Sequence, residues 1–197
     1  MIKTSSKNKG KLFVVSAPSG AGKTTLVEKI LKACPDAVRS VSMTTRRPRK
    51  GEKNGCDYFF VPENKFKSIV REKGFIEYAK VFENYYGTPK KFVEDNLKKN
   101  KDVILTIDVQ GAMKIKKSLK GKAVFVFVVA PKFADLKKRL LKRKTDSKQV
   151  IAHRLKIARQ ELEYIKHYDY VIVNDKLDLA SKKLLSVLVA EKCKIEK

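Results

Sequence analysis

The sequence predicts an α/β fold in which helices flank a parallel sheet. Four short apolar runs have the length and continuous hydrophobicity of buried parallel strands, and they read KLFVVSA from Lys11, DVILTID from Asp102, AVFVFVV from Ala123 and YVIVN from Tyr170. A helical pattern follows each run, at about residues 23–33, 109–119, 132–143 and 177–194. Strands that alternate with helices imply a parallel sheet covered on both faces, with ligands at the carboxyl ends of its strands. The 197 residues suffice for one well-packed domain with a small insertion.

The first apolar run continues into VVSAPSGAGKTT, residues 14–25, which places two glycines and a lysine between a predicted strand and a predicted helix. Backbone N–H groups can converge on an anion only where side chains are small, and the start of a helix adds unpaired N–H donors. The spacing matches the P-loop pattern GxxxxGK[ST] except at its first position, where this chain has Ala17. We expect Lys23 to reach the β- and γ-phosphates of a nucleotide, and the Thr24 hydroxyl to contact Mg²⁺ or its waters. In the alternative, Gly20 and Gly22 only relieve steric strain in a turn.

Residues 42–86 interrupt the alternation of strands and helices with prolines, glycines and short alternating stretches such as DYFFV and NYYGT. This pattern predicts a small β-rich insertion beside the phosphate loop, with one helix near residues 63–73. Farther along, RKTDSKQ at residues 143–149 is a polar break between two helices. It is either a mobile lid or an ordinary surface loop.

The net charge of +25 would normally suggest a polyanionic partner. Only nine of the 46 basic residues are arginines, however, and the lysines are spread along the chain. We therefore expect a solvated basic surface and no specific nucleic-acid partner. The arginines are more informative, because a planar guanidinium suits bidentate phosphate recognition. They gather in TTRRPR at residues 44–49 and again within residues 139–159.

The cysteines and the apolar stretches indicate the compartment. Cys34, Cys56 and Cys193 are odd in number, far apart and not in CxxC pairs, which argues against a disulfide framework and a zinc site and favours a reducing cytosol. No apolar stretch is long enough for a membrane span, and the first residues lack the apolar core of a signal peptide. We expect a cytoplasmic protein without a membrane partner; both a monomer and a homo-oligomer are compatible with the sequence.

Four stretches in this order, SVSMTTRRPRKGEKNGCDYFF, GFIEYAKVFENYYGTPK, IDVQGA and VIVND, closely resemble a bacterial-type guanylate kinase, a P-loop nucleoside monophosphate kinase. The resemblance runs from about residue 11 to residue 190. It implies transfer of the γ-phosphoryl group of ATP to GMP, with Mg²⁺. It also implies a P-loop core at residues 11–41 and 89–197, a β-rich GMP-binding insertion at residues 42–88 and a helical lid at about residues 143–154, after a flexible terminus at residues 1–10.

The resemblance also assigns the residues that bind GMP. The phosphate is expected on Arg46, Arg49, Tyr58 and Tyr86, and the guanine on Ser42, Glu77, Thr88 and Asp108. The chemistry of the base agrees, because guanine N1–H and N2–H₂ require an acceptor such as a carboxylate and O6 requires a donor such as a hydroxyl. Alone, Glu77 would be read as an exposed strand residue. Asp108 ends an apolar strand and has the alternative, compatible role of a helix N-cap.

The ATP-binding residues follow from the phosphate loop and the VIVND stretch. They are expected to be Ala17, Pro18, Ser19, Gly20, Ala21, Gly22, Lys23, Thr24, Thr25, Asn174 and Asp175, with Thr24 also at the metal. The catalytic set implied by the family is Lys23, Arg46, Arg139, Arg143 and Arg154. The arginines would neutralise charge on the transferring phosphoryl group, since this reaction depends mainly on positioning and electrostatics.

The chain departs from the family pattern at three positions. Thr106 replaces a usual carboxylate, Ala130 begins an APK turn in place of a PPS-like one, and Lys144 replaces a glycine. A different class of function is also possible in principle, because some guanylate-kinase-like domains have lost catalysis and bind phosphorylated partners. Lys23, Thr24 and the complete arginine set favour an active enzyme. A nucleic-acid-binding protein is a third reading, supported by net charge alone.

Overall fold

The computed structural model describes residues 10–49, 51–81, 83–119, 121–142 and 147–195. The predicted flexible terminus therefore lies outside the described residues except for Gly10. That glycine packs against Lys101, just before the second predicted strand, where a β-carbon would come 2.1 Å from the Lys101 carbonyl oxygen.

The main sheet has five parallel strands in the order β2-β7-β1-β8-β9. They are β1 (Leu12–Ser16), β2 (Ala37–Arg39), β7 (Asp102–Thr106), β8 (Ala123–Val129) and β9 (Tyr170–Val173). The four predicted strands are confirmed. The short β2 was not predicted, because three residues give too little pattern to separate a strand from a loop.

Helices cover both faces of this sheet. They are α1 (Lys23–Ala33), α3 (Lys90–Lys98), α4 (Val109–Leu119), α5 (Phe133–Lys142), α6 (Lys148–Leu162) and α7 (Leu177–Lys192), with a 3₁₀ turn at Glu163–His167. The remaining helix, α2 (Glu63–Arg71), packs on the second sheet. Alternate residues of β1 point to opposite faces, so Phe13 and Val15 pack with α1 and α7, while Leu12 and Val14 pack with α3 and α4. This arrangement is the predicted α/β sandwich.

The second sheet, in the order β4-β3-β6-β5, lies within the predicted insertion. It contains β3 (Met43–Thr44), β4 (Phe59–Phe60), β5 (Phe75–Val81) and β6 (Asn84–Pro89), which pair mostly antiparallel. Phe66 of α2 is fully buried and stacks on Phe75 and Tyr85 at ring-centroid distances of 4.5 and 5.5 Å. This aromatic cluster gives the small sheet its own core.

Two helical segments differ from the sequence prediction. Helix α3 was missed because it is polar on most sides and buries only Val93. Helix α6 begins at Lys148 under a Ser147 cap whose hydroxyl accepts from the Val150 N–H, so the last part of the predicted polar break is already helical. No helix in the described part of the chain is long and apolar enough to cross a bilayer.

Candidate active site

The glycine-rich loop has the shape of an anion cradle. Strand β1 ends at Ser16, α1 begins at Lys23, and Gly20 and Gly22 between them have φ values of 91° and 86°, which favour glycine. A β-carbon on Gly22 would come 2.6 Å from Asn174 Nδ2. Ala17 is tolerated, because among the described residues positive φ outside glycine occurs only at Lys73 and Asn100.

Hydrogen bonds from Asn174, which directly follows strand β9, and from Arg139 fix the position of the phosphate loop. Buried Asn174 donates from Nδ2 to the Ala21 carbonyl oxygen at 2.8 Å. Arg139 of α5 donates to the carbonyl oxygens of Asn174 at 2.9 Å and Ala21 at 3.4 Å. These bonds join the predicted adenine-side residue Asn174, and exposed Asp175 after it, to the phosphate loop.

Lys23 lies at the base of the cradle beside two carboxylates. Its Nζ donates to the Ile107 carbonyl oxygen at 2.7 Å. Burial lowers the pKa of the ammonium to about 8, against the attraction of Asp108 and Glu161. Burial likewise raises the pKa of the Glu161 carboxyl to about 7, opposed by Lys23. Glu161 was not predicted, since one glutamate in a polar helix carries no distinctive sequence signal.

A cavity of about 1290 Å³ opens in front of the loop. The phosphate loop and Thr24 form one wall, Arg49 and Tyr58 form part of another, and Arg154 and Glu161 of α6 line a third. Asp108 lies at the same cavity. The structure thus places the phosphate loop and three of the predicted GMP-side residues, Arg49, Tyr58 and Asp108, around one space, large enough for two small ligands.

Three of the residues predicted to bind the GMP phosphate, Arg46, Tyr58 and Tyr86, form a cluster beside the second sheet. Arg46 Nη2 donates to both carboxylate oxygens of Glu52, at 2.8 and 2.9 Å. Its guanidinium carbon lies 5.6 Å from the centre of the Tyr58 ring, and Tyr58 meets Tyr86 edge-on at 5.9 Å. Three of the predicted residues are therefore neighbours, and exposed Arg49 lies at the adjoining cavity.

Glu52 is a member of this cluster that sequence reasoning missed. It also accepts from the Arg49 backbone N–H at 2.7 Å. Burial alone would raise the pKa of Glu52. The hydrogen bonds from Arg46 and from the Arg49 backbone outweigh burial and hold this pKa below its usual value. The signal was present in RRPRKGE, where an acid follows three arginines closely.

Three of the four predicted base-reading residues, Glu77, Thr88 and Asp108, lie together between β5, β6 and the start of α4. Glu77 is 8% exposed, and the Thr88 hydroxyl donates to its Oε1 at 2.7 Å. Burial raises the pKa of Glu77 to about 7; the Thr88 hydrogen bond opposes this rise and the charge of Asp108 adds to it. Asp108 Oδ1 accepts from the Gly111 N–H at 2.8 Å, so its N-cap role is present in the structure. Ser42 is half-buried, and its carbonyl accepts from the Phe59 N–H at 2.9 Å.

Comparison with known proteins finds relatives that span nearly the whole chain. The family model described as guanylate kinase matches residues 9–191. The guanylate kinase of Caldanaerobacter subterraneus subsp. tengcongensis is 44% identical over 191 residues, which cover 97% of this chain and 92% of that protein. That of Wolbachia pipientis wMel is 47% identical over 188 residues, which cover 95% and 94%. The crystal structure of guanylate kinase from Anaplasma phagocytophilum matches with a TM-score of 0.79 at 37% identity, covering 94% of this chain and 87% of that one. The chain belongs to the guanylate kinase family.

This membership confirms the resemblance and the α/β fold class inferred from the sequence. Of the three positions at which the chain differs from the guanylate kinase pattern, the structure describes two. Thr106 ends β7 beside Val15 of β1, and half-buried Ala130 packs against the main core after β8. Lys144 and the predicted catalytic Arg143 lie outside the described residues.

Of the three arginines predicted to act from the lid side, the structure describes Arg139 on α5 and Arg154 on α6. The two hydrogen bonds of Arg139 given above both end on backbone carbonyls that support the loop, which leaves other N–H groups of its guanidinium for a ligand. Arg154 is half-buried on the cavity wall. Contact of either with a transferring phosphoryl group stays a prediction.

Proposed function

We propose that this chain is an ATP:GMP phosphotransferase that uses the residues around the large cavity for both substrates. The observation that carries the proposal is the pairing of two different sites at one cavity. The phosphate loop with Lys23 lines the cavity together with Asp108. Next to Asp108, across Gly111, Glu77 and Thr88 complete a guanine-reading group. ATP and GMP are therefore its small-molecule partners.

The acceptor side selects guanine by hydrogen-bond polarity. The carboxylates of Glu77 and Asp108 accept from N1–H and N2–H₂, and the Ser42 hydroxyl donates to O6. Thr88, whose single hydroxyl hydrogen goes to Glu77 Oε1, orients that carboxylate. Adenine presents an acceptor at N1 and would leave a buried carboxylate facing a lone pair, which is costly. We assign residues 42–88 to this acceptor region.

The phosphate of GMP is held by the Arg46 cluster. Arg46 has five N–H donors, and its partners within the protein are Glu52, the Arg47 carbonyl and the Tyr86 side chain. A bound phosphate takes the donors that these partners do not use. Arg49, Tyr58 and Tyr86 supply further donors. A phosphate oxygen of GMP then forms a bond to the γ-phosphorus as the bond from that phosphorus to the bridging oxygen of ADP breaks.

The donor side stabilises the charge of that transfer. Lys23 binds the β- and γ-phosphates from the loop, and Arg139 and Arg154 approach from α5 and α6, together with the predicted Arg143. Ser19, Gly20, Gly22 and Thr25 offer backbone N–H groups around the start of α1, Ala17, Pro18 and Ala21 shape the loop, and Asn174 and Asp175 flank the adenine.

The residues present fit Mg²⁺ bound together with ATP. Thr24 is exposed at the cavity, and Asp108 offers carboxylate oxygen at the same space. In the described part of the chain no group of three His, Cys, Asp or Glu side chains could hold a metal by itself. This donor set suits an ion that keeps most of its water and shares the phosphates, with Thr24 as its protein ligand. Bound there, Mg²⁺ neutralises developing charge on the phosphate oxygens.

The proposal is tested by ADP formation from ATP in the presence of GMP, AMP, UMP or no acceptor. We expect rapid ADP formation with GMP, and at least about a hundredfold lower kcat/KM with AMP and UMP, because a site built to pair substrate donors rejects analogues that lack them. Two results would contradict a guanylate kinase activity: the same rate of ADP formation with all three acceptors, or a rate with GMP no higher than the rate without an acceptor.

A further inference from the structure

Helix α4 and strand β5 meet at the base-reading site, and this contact joins the two sheets. Glu77 and Tyr78 are adjacent on β5, while Asp108, Gly111 and Lys114 follow one another at intervals of three residues at the start of α4. Residues three apart on a helix share a face. One face of α4 therefore carries a base-reading carboxylate, a glycine and a lysine toward β5.

We propose that Lys114 is a positioning residue for guanine recognition, which fixes β5 against α4 and so holds Glu77 beside Asp108. The inference rests on the proposed function, since Glu77 and Asp108 read guanine only if GMP is the acceptor. Lys114 itself need not touch the substrate.

Lys114 contacts Tyr78 of strand β5 through both the backbone and the ring of that residue. Its Nζ donates to the Tyr78 carbonyl oxygen at 2.6 Å, and the same Nζ lies 5.6 Å from the centre of the Tyr78 ring. A cation that binds a backbone carbonyl and lies over the ring of the same residue holds that residue by two independent attractions. The residue held in this way directly follows Glu77.

Gly111 shows how closely the carboxylate and the helix approach. A β-carbon at Gly111 would lie 3.0 Å from Glu77 Oε2, which is tighter than ordinary contact. Since Gly111 N–H also binds Asp108 Oδ1, a shift of β5 away from α4 would separate Glu77 from Asp108 directly. Lys114, one turn farther along, opposes that shift by holding the backbone beside Glu77.

The charge of Lys114 also acts on Glu77. Its ammonium favours the ionised carboxylate, against the burial that disfavours it. Position and charge thus point to the same outcome, an ionised acceptor held where the guanine donors arrive. Arginine at position 114 can preserve both effects, whereas methionine preserves only the length of the side chain.

The test compares Lys114→Met, Lys114→Arg and the matched control Lys117→Met, which removes an exposed lysine farther along the same helix. Steady-state kinetics are measured with GMP and with IMP, which lacks the 2-amino group, and with ATP as the varied substrate. For Lys114→Met we expect kcat/KM for GMP to fall about three- to tenfold through KM, as suits a charge-assisted hydrogen bond at an exposed position. The preference for GMP over IMP falls with it, kcat and the KM for ATP stay within about twofold, and Lys114→Arg restores the wild-type values.

Three results separate the possible failures. Equal kinetics for Lys114→Met and Lys117→Met, in a wild type that phosphorylates GMP, would overturn the inference alone. An equal loss with GMP and IMP, or a rise in the KM for ATP, would show a general structural role and would also overturn it. A wild type without GMP-dependent ADP formation would overturn the proposed function and the inference with it. Thermal melting of all variants checks that each is folded.

Discussion

Lys23 shows how burial and function conflict at a single side chain. Lys23 is half-buried at the cavity and desolvation lowers the pKa of its ammonium to about 8, yet it must carry charge to bind phosphate. Asp108 and Glu161 offset part of that cost in the absence of ligand, and the Ile107 carbonyl accepts one of its hydrogens. ATP phosphates supply a stronger anion in the same place.

Replacing Lys23 by methionine is expected to abolish phosphoryl transfer while GMP still binds. The loss of preorganised electrostatic stabilisation typically costs on the order of a hundredfold or more in kcat. GMP affinity, measured by calorimetry, should stay nearly unchanged because the acceptor residues lie on other elements. Lys29→Met is the control, since Lys29 lies on the same helix in an exposed ion pair with Asp178. Turnover above about a tenth of wild type in Lys23→Met would contradict the assigned role.

Glu77→Gln is expected to lower kcat/KM for GMP about ten- to a hundredfold. The amide N–H₂ replaces an acceptor oxygen, so one guanine donor loses its partner, at a cost of roughly 1.5–3 kcal/mol. The KM for ATP should change little, because Glu77 lies on the acceptor side. Glu94→Gln, on exposed α3, is the control. An unchanged kcat/KM for GMP would mean that the other acceptor-side residues read the base without Glu77.

The same variant is expected to be more stable than wild type at alkaline pH. The pKa of Glu77 is about 7 in the folded protein and 4.5 as its ordinary value, so folding favours the protonated form. The contribution of Glu77 to stability is therefore full below pH 4.5 and is lost as the pH rises through 7. Urea unfolding at pH 8 should show Glu77→Gln about 2–3 kcal/mol more stable than wild type, with the difference vanishing near pH 4.5. A difference independent of pH would contradict the raised pKa.

At the scale of elements, α4 serves the site through its first turns. Asp108 caps the helix, and Gly111 lets the Glu77 carboxylate approach its backbone. A glycine inside a helix costs about 1 kcal/mol relative to alanine, so its presence here is explained by the close approach of Glu77.

Gly111→Ala is expected to impair GMP use with little loss of stability. The added methyl would lie 3.0 Å from Glu77 Oε2 and must displace the carboxylate by a few tenths of an ångström. The gain in helix propensity offsets part of the strain, so the melting temperature should move by no more than a few degrees. We expect kcat/KM for GMP to fall about tenfold while the KM for ATP is retained. Lys117→Ala, exposed on the same helix, should leave both unchanged, and equal GMP kinetics in the two variants would contradict the close-approach role.

At the scale of the whole molecule, some of the basic residues behind the net charge of +25 lie where local structure favours them. All seven described α-helices carry a basic residue in their last turn, where the helix dipole favours cations. Many lysines also form exposed pairs along helices, such as Lys67 with Glu63 and Lys91 with Asp95. Neither arrangement requires a nucleic-acid partner.

Any affinity for duplex DNA is therefore expected to be weak, independent of sequence and lost steeply as salt rises. Such binding comes from the release of counterions and not from contacts with bases. Fluorescence anisotropy with two unrelated duplexes, titrated at several salt concentrations, measures both features. A sequence preference that persists at physiological salt would contradict this expectation and favour a nucleic-acid function.

The amino-acid sequence by itself determined four strands of the main sheet, the phosphate loop and the family, because each of these depends on short continuous stretches of residues. Val14 to Thr25 specify a strand, a turn and a helix locally, through hydrophobicity, glycine and small side chains. The motifs also named Glu77, Thr88 and Asp108, through resemblance to the family and the polarity of guanine.

Only the tertiary structure decided which polar groups surround those residues. Glu161 comes from a helix far along the chain and meets Lys23, and Lys114 meets the backbone beside Glu77. The sequence pattern likewise did not predict strand β2 or helix α3, because β2 is three residues long and α3 buries a single valine. The physical reason is that hydrophobic periodicity records burial within one element, whereas pKa shifts, ion pairs and close approaches depend on distances between elements that only packing sets.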